Sequence, residues 1–458
     1  MFQFSSQMVQ PSTLAIILGL LSLSVGSETF VLDGARKEGA SPSLQNLVNF
    51  SDFGTSQRNI AIFTTAGMPW MTGTAVNPML RAAHLARTKE NHRVTLCVPW
   101  VPLKDQPAIF AQHRFEEPQE QERSMRRWAR DNLGFWPKIA IKFYDARYWP
   151  SIGSIISTGD LTKCIPEAER DVAILEEPEH LNWFHSGEDW LTTFKYVVGI
   201  VHTDYLTYRR SDPHIWALLR PSWAYGWQLL NTWVTRAYCH HVIKLSDAVQ
   251  EFPKAVTCNV HGVRDKFLEV GRSKANAVVP RFEKGAYYIG KALWAKGYRQ
   301  LVDNLKEHRR ITGETVALDV YGTGPDLESI VEEVTREKLG WNFKGAIDHA
   351  DPSLWEYKVL VNPSLSDVVC TTSAEALAMG KFVVCARHPS NVFFERFSST
   401  FTYTNAAEFS LSLQHALAAE PPPMSADMIR ELSWEAATER LFTAAKVEAV
   451  PSKRQRQA

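Results

Sequence analysis

The sequence predicts an α/β protein built from two doubly wound units. Three observations carry that expectation. The chain's 458 residues exceed what a single hydrophobic core usually fills. Short β-rich runs alternate with helical stretches, which is the rhythm of a parallel sheet. That rhythm breaks near residue 256 and restarts beyond residue 280.

The elements follow in order. The first strand is expected at Asn59 to Thr64, and buried strands follow around Val94, Ile139, Ile174 and Val198. After the crossover come AYYIGK, ALDVYG, VLVNPS and KFVVCA, separated by helical segments such as LESIVEEVTREKL. Three prolines, Pro421 to Pro423, precede a last helix from Ser433 to Lys446 and a basic tail. The chain thus divides into segments 1–57, 58–255, 256–420 and 421–458. The first segment carries an apolar run, Leu14 to Val25, with the length of a signal-peptide core, but no Lys or Arg precedes Arg36. It is either an unusual targeting segment or a disordered or packed tail.

Composition narrows the function classes. Hydrophobic residues at 45% and charged residues at 22% describe a folded chain with ample core material. Lys plus Arg and Asp plus Glu stand at 50 each, so no overall field draws the chain to nucleic acid, and any membrane contact must be local. The six cysteines are far apart and offer no zinc or thioredoxin-like pair.

In open parallel sheets, ligands bind beyond the carboxyl ends of strands. Four strand ends carry chemistry. The loop TTAGMPWMTGTA holds Gly67 and Gly73 ahead of a helix, where a ligand phosphate could meet backbone N–H groups; the same pattern also suits a plain strand–helix turn. LEEPEHL and GIVHTDY bring Glu177, His180, His202 and Asp204 to neighbouring strand ends, for a site or for structure. YIGKALWAKGY places Lys291 and Lys296 on one loop, where two ammonium groups can neutralise a diphosphate. NPSLSDVVCTTSAEALAMGK sets Asp367 and Glu375 around a strand–helix junction, able to grip sugar hydroxyls and ribose; Thr372 and Glu375 also fit a capping box. No GxGxxG follows a strand, which counts against a nicotinamide-dependent oxidoreductase, and no Asp-x-Asp pair is present for a metal-bound donor. A catalytically silent scaffold would have no need to keep these residues together.

The fourth segment, with YGTGP around Gly322 and Gly324, resembles glycosyltransferase family four, a retaining family of the GT-B fold with two Rossmann-like domains facing across a cleft. More narrowly, LEEPEHL, VGIVHTDY, WVTRAYC, CNVHGV, WAKGY, SDVVCTTSAEALAMGKFVVCA and LSWEAAT are similar to digalactosyldiacylglycerol synthases over residues 58–445. The resemblance implies transfer of galactose from UDP-galactose to monogalactosyldiacylglycerol, with retention of the anomeric centre and no obligatory cofactor. It implies peripheral attachment at the plastid (chloroplast) envelope, at the outer membrane, with no nucleic-acid partner. Residues 58–255 then form the acceptor and membrane domain, and 256–420 the nucleotide-sugar domain. Glu375 would hold the ribose, Asp367 the galactose hydroxyls, and Lys291 and Lys296 the diphosphate. Gly73, Gly322, Thr371 and Thr372 would complete the nucleotide-sugar site, and His202 would stand near the reacting carbon. Asp367 and Lys291 stand where the broader family usually has Glu and Arg, a departure shared with the lipid-galactosylating branch. The lipid acceptor implies an interfacial patch, expected at Trp223 and Trp227 within the tryptophan-rich stretch 215–234, with a second aromatic-basic stretch from Arg126 to Trp149. Glu177 and His180 are the expected acceptor contacts.

Overall fold

A computed structural model describes residues 57–110, 113–150, 153–205, 220–276 and 282–445, residues 220–224 by their backbone alone. The apolar run from Leu14 to Val25, Trp216 and the basic tail lie outside these residues.

The first sheet comprises β1 (Asn59–Phe63), β2 (Arg93–Trp100), β3 (Ile139–Trp149), β4 (Ser154–Ser157), β5 (Val172–Glu176), β6 (Tyr196–Val201), β7 (His241–Lys244) and β8 (Ala255–Thr257). Its order is β4-β3-β2-β1-β5-β6-β7-β8. Every pair is parallel except β3 with β4. The central strands β5 and β6 are buried along their whole length, which is why VAILE and YVVGIV read as continuous apolar runs instead of alternating ones. The second sheet comprises β9 (Lys284–Ile289), β10 (Leu318–Tyr321), β11 (Trp341–Gly345), β12 (Tyr357–Asn362), β13 (Phe382–Ala386) and β14 (Thr400–Tyr403). Its order is β11-β10-β9-β12-β13-β14, all parallel.

Chain order reverses direction at two places: between β1 and β5 in the first sheet, and between β9 and β12 in the second. At such points the loops leave towards opposite faces and open a crevice beyond the strand ends. The helices that matter for the site are α1 (Gly73–Leu85), α2 (Arg220–Tyr238), α3 (Tyr298–Thr312), α4 (Thr371–Ala378) and α5 (Trp434–Ala444).

The two lobes are tied by the end of the chain. Ser433 caps α5 by accepting from Ala436 N–H at 3.2 Å, and Trp434, Ala437 and Leu441 then join the first lobe's core. Arg440 donates to the carbonyls of Asn259 and His261 at 2.6 and 3.2 Å, gripping the crossover between the sheets. Gly262 is glycine because a Cβ there would lie 2.5 Å from Trp434 N. Apolar clusters cover both faces of the second sheet.

Candidate functional site

At the first switch point the strand ends are cross-linked below the cleft. Glu177 takes the left-handed backbone region, φ 65°, just past β5. Its Oε2 accepts from Thr65 Oγ1 at 2.6 Å, beyond β1, and its Oε1 accepts from Thr203 Oγ1, beyond β6. Three strand ends therefore converge on one carboxylate. Burial pushes that carboxyl up, but hydrogen bonding and charge from His180, the charge of His202 and the Thr203 bond outweigh it, bringing it down to about 2.

Glu176 sits behind it, with no solvent exposure. Arg81 of α1 donates Nε to its Oε1 at 2.7 Å, and His202 Nε2 meets its Oε2. Burial raises Glu176, yet the charges of Arg81 and His202 leave it below the ordinary carboxylate value. Arg81 also donates to Val260 O at 2.8 Å, so one guanidinium joins α1, β5 and the crossover. His261 packs its ring 4.9 Å from that of His202, and burial followed by the positive charges of His202 and Arg81 holds it well below the usual imidazole range.

Glu177 and His180, named as acceptor contacts, are buried at the strand end. They are 2% and 7% exposed, and His180 packs on Trp183 with Nδ1 3.2 Å from the Tyr205 hydroxyl. Their strand-end position signals chemistry, but the helical turn Pro178–Asn182 folds them inward. Gly73 is the first residue of α1 rather than part of the loop before it. A Cβ there would meet nothing nearer than Asn77 Nδ2 at 3.6 Å, so packing within the protein does not demand glycine.

At the second switch point, Lys296 Nζ donates to Asp367 Oδ1 at 2.6 Å, with side chains 24% and 18% exposed. Gly297, at φ +89°, is the N-cap of α3 directly after the lysine; a Cβ would come within 2.6 Å of Pro363 C, so glycine lets the lysine loop close on the β12 loop. Lys291 is exposed beside the same strand end. Gly322 is dictated by the fold: at φ +142°, a Cβ would lie 1.8 Å from Gly290 O. It brings the ends of β9 and β10 together and so shapes the lysine loop from beneath.

The helix α4 begins at Thr371 with Cys370 as N-cap and no side-chain cap. Thr372 and Glu375 form no capping box, because Thr372 lies inside the helix rather than at its cap and Glu375 Oε2 meets His349 Nδ1 at 2.7 Å. The lobes meet nearby. Ser246 of the first lobe donates to Val368 O, and Val368 belongs to the first lobe's core. His388, beyond β13, feels the charges of Asp367 in its own lobe and Asp204 in the other, while burial, the larger effect, holds it below the usual imidazole value.

The interfacial expectation changes too. Trp227 turns inward, its ring 5.0 Å from Trp183. The exposed face of α2 carries Tyr225, Leu229 and Trp233, at 61%, 52% and 61%, spaced four residues apart on one side of the helix. The Trp223 side chain lies outside the described residues.

Comparison with known proteins now decides the family. A model described as Glycosyl transferases group 1 matches residues 283–419, the span of the second sheet. Digalactosyldiacylglycerol synthase 2, chloroplastic, of Arabidopsis thaliana is 46% identical over 390 residues, covering 84% of this chain and 81% of that protein. This chain belongs to the digalactosyldiacylglycerol synthase family. Digalactosyldiacylglycerol synthase 1, chloroplastic, of Lotus japonicus is also 46% identical, over 406 residues and 88% of this chain. The chain spans about half, 51%, of the length of that relative. Among solved structures, TarM aligns with TM-score 0.54 at 12% identity, over 86% of this chain and 100% of that one. Sucrose-phosphate synthase from Thermosynechococcus elongatus aligns with TM-score 0.53 at 15% identity, over 84% and 98%. These likenesses show the GT-B fold that the sequence predicted.

Within this digalactosyldiacylglycerol synthase family member, Lys296 pairs with Asp367 beside the second switch point, Glu375 lies on α4 just after Asp367 and pairs with His349, and His202 stands at the first. Arg81, Thr65, Thr203, His349 and His388 escaped the sequence reading. Arg81 and His349 occur in an ordinary helix and an ordinary loop, with no motif to mark them; Thr65 and Thr203 sit directly after strands and were legible by position alone.

Proposed function

We propose that this chain is a retaining galactosyltransferase that moves galactose from UDP-galactose to the primary hydroxyl of monogalactosyldiacylglycerol. The product is digalactosyldiacylglycerol. The supporting observation is the pairing of Lys296 with Asp367 at the second switch point, on the same β12–α4 loop and helix that carry Glu375.

In this reading the donor lies across the second switch point. Glu375 holds the ribose hydroxyls. Lys291, Lys296 and the uncapped N-terminus of α4 at Thr371 and Thr372 meet the diphosphate. As the anomeric bond breaks, negative charge grows on the departing UDP, and fixed cations stabilise that state more than the bound ground state. The lysines supply charge at the position where many transferases use a divalent ion, so no cofactor is written into the reaction. Asp367, held by Lys296, accepts hydrogen bonds from galactose hydroxyls. Gly73 leaves room beside the start of α1 for the donor. His202, held by Glu176, stands near the reacting carbon, on the side from which the acceptor enters.

The acceptor is a lipid, and the exposed Tyr225, Leu229 and Trp233 face suits the headgroup depth of a bilayer. Among the described residues no helix is long and apolar enough to cross a membrane. Attachment is peripheral in this reading, at the outer membrane of the plastid envelope; the names of the relatives say chloroplastic, which supports the plastid. The test is incubation with labelled UDP-galactose and micelles of monogalactosyldiacylglycerol, followed by analysis of the product's anomeric linkage. An α-linked digalactosyl lipid is expected. A β-linkage refutes the retaining mechanism, and transfer to a soluble sugar or another glycolipid in preference refutes the acceptor.

A further inference from the structure

His349 lies in the loop after β11 and plays no part in the reaction as described so far. Its Nδ1 is 2.7 Å from Glu375 Oε2, and its Nε2 is 2.7 Å from the Tyr287 hydroxyl. The His349 side chain is 5% exposed and that of Glu375 19%, so the chain of contacts runs from the lobe's interior to its rim. Tyr287 is fully buried on β9, with Tyr357 packed 4.9 Å from its ring.

Chemistry fixes the direction of these hydrogen bonds. A carboxylate oxygen only accepts, so Nδ1 carries the hydrogen that goes to Glu375, and in the neutral ring Nε2 is then bare. Burial first, and the Glu375 charge second, push the Tyr287 phenol well above its usual value, so it keeps its proton and can donate to that nitrogen. One carboxylate oxygen is committed to the histidine. Oε1 remains for a ligand, with no hydrogen-bond partner among the described residues.

We propose that His349, with its tautomer set by Tyr287, is a positioning residue that aims Glu375 at the two vicinal ribose hydroxyls of the donor nucleotide. The chain Tyr287–His349–Glu375 would thereby confer preference for ribonucleotides over analogues lacking those hydroxyls. This inference rests on the assignment of Glu375 to ribose made above, and its test separates the two.

Binding of UDP and of 2′,3′-dideoxy-UDP is measured by calorimetry on the full chain and on His349→Ala, His349→Asn and Tyr287→Phe. The unaltered chain is expected to prefer UDP by about tenfold or more, the size of a charge-assisted hydrogen-bond contribution. His349→Ala should lose most of that preference through weaker UDP binding, with dideoxy-UDP binding unchanged. His349→Asn, whose amide nitrogen stands close to where Nδ1 did, should restore it, and Tyr287→Phe should fall between. If the unaltered chain binds both nucleotides equally, the ribose assignment of Glu375 fails and the inference with it. If the unaltered chain discriminates and His349→Ala discriminates as well, or loses both ligands equally, the positioning role is refuted while the assignment stands. Tyr287→Phe removes one oxygen without changing shape, so an unchanged preference there overturns the tautomer argument even if His349→Ala does not fold.

Discussion

Substituting Glu177 tests how the cleft floor is held together. Its carboxyl is drawn from the ordinary 4.5 to about 2, although the side chain is buried. The difference corresponds to about 3 kcal/mol of stability. The sign follows from linkage. A carboxyl depressed in the folded state contributes stability above its unfolded value, and that contribution is lost as pH falls towards the folded value. The window is therefore 4.5 down to about 2, and about 2 kcal/mol of the total is gone by about pH 3. Glu177→Gln keeps the shape and cannot titrate. Urea denaturation of both proteins across about pH 7 to about pH 3 should show the stability gap narrowing by about 2 kcal/mol. Acid-sensitive groups away from Glu177, such as Glu435 held to about 2 by its hydrogen bond from His84, titrate in both proteins and cancel. Parallel curves would mean that the Thr65, Thr203 and His180 contacts do not hold the charged form, and the account of the converging strand ends would fail.

Three further outcomes are expected. Lys296→Ala should lower kcat by about 10²–10³-fold, because its charge acts on the leaving diphosphate. Its melting temperature should change little, since the pair with Asp367 is partly exposed; near-normal turnover in folded protein would remove Lys296 from the mechanism. Glu179 is fully buried, both its oxygens lack a partner among the described residues, and burial plus repulsion from Glu177 raises its carboxyl well above 4.5. Here the linkage sign is reversed: stability is lost as pH rises above 4.5. Glu179→Gln should therefore raise the melting temperature at about pH 7 and not at about pH 4, and equal melting temperatures of the two proteins at both would refute this. Tyr225→Ser with Trp233→Ser should reduce flotation with galactolipid liposomes while Trp227→Ser destabilises the helix contact with Trp183; unchanged flotation in the double variant would clear α2 of a membrane role.

Periodicity determined much of this protein before any coordinates. Buried strands in both sheets were legible because a near-continuous apolar run flanked by helices has few other ways to bury both faces, and β6 and β13, with the VAIL of β5, are of that kind. Asp367 and Glu375 were legible because a strand–helix junction fixes their separation whatever the rest of the chain does. What the sequence could not decide depends on contacts between distant segments. Thr372 and Glu375 satisfy a capping box locally, but a histidine 26 residues away in sequence takes the carboxylate. Glu177 and His180 sit at a strand end, and only the turn that follows buries them. Trp227 and Trp233 read alike in a tryptophan-rich stretch, and packing of Trp227 against the distant Trp183 marks which of them faces inward. Local sequence sets what an element can be; which partner reaches a side chain first is settled by long-range packing, and there the tertiary structure had the deciding voice.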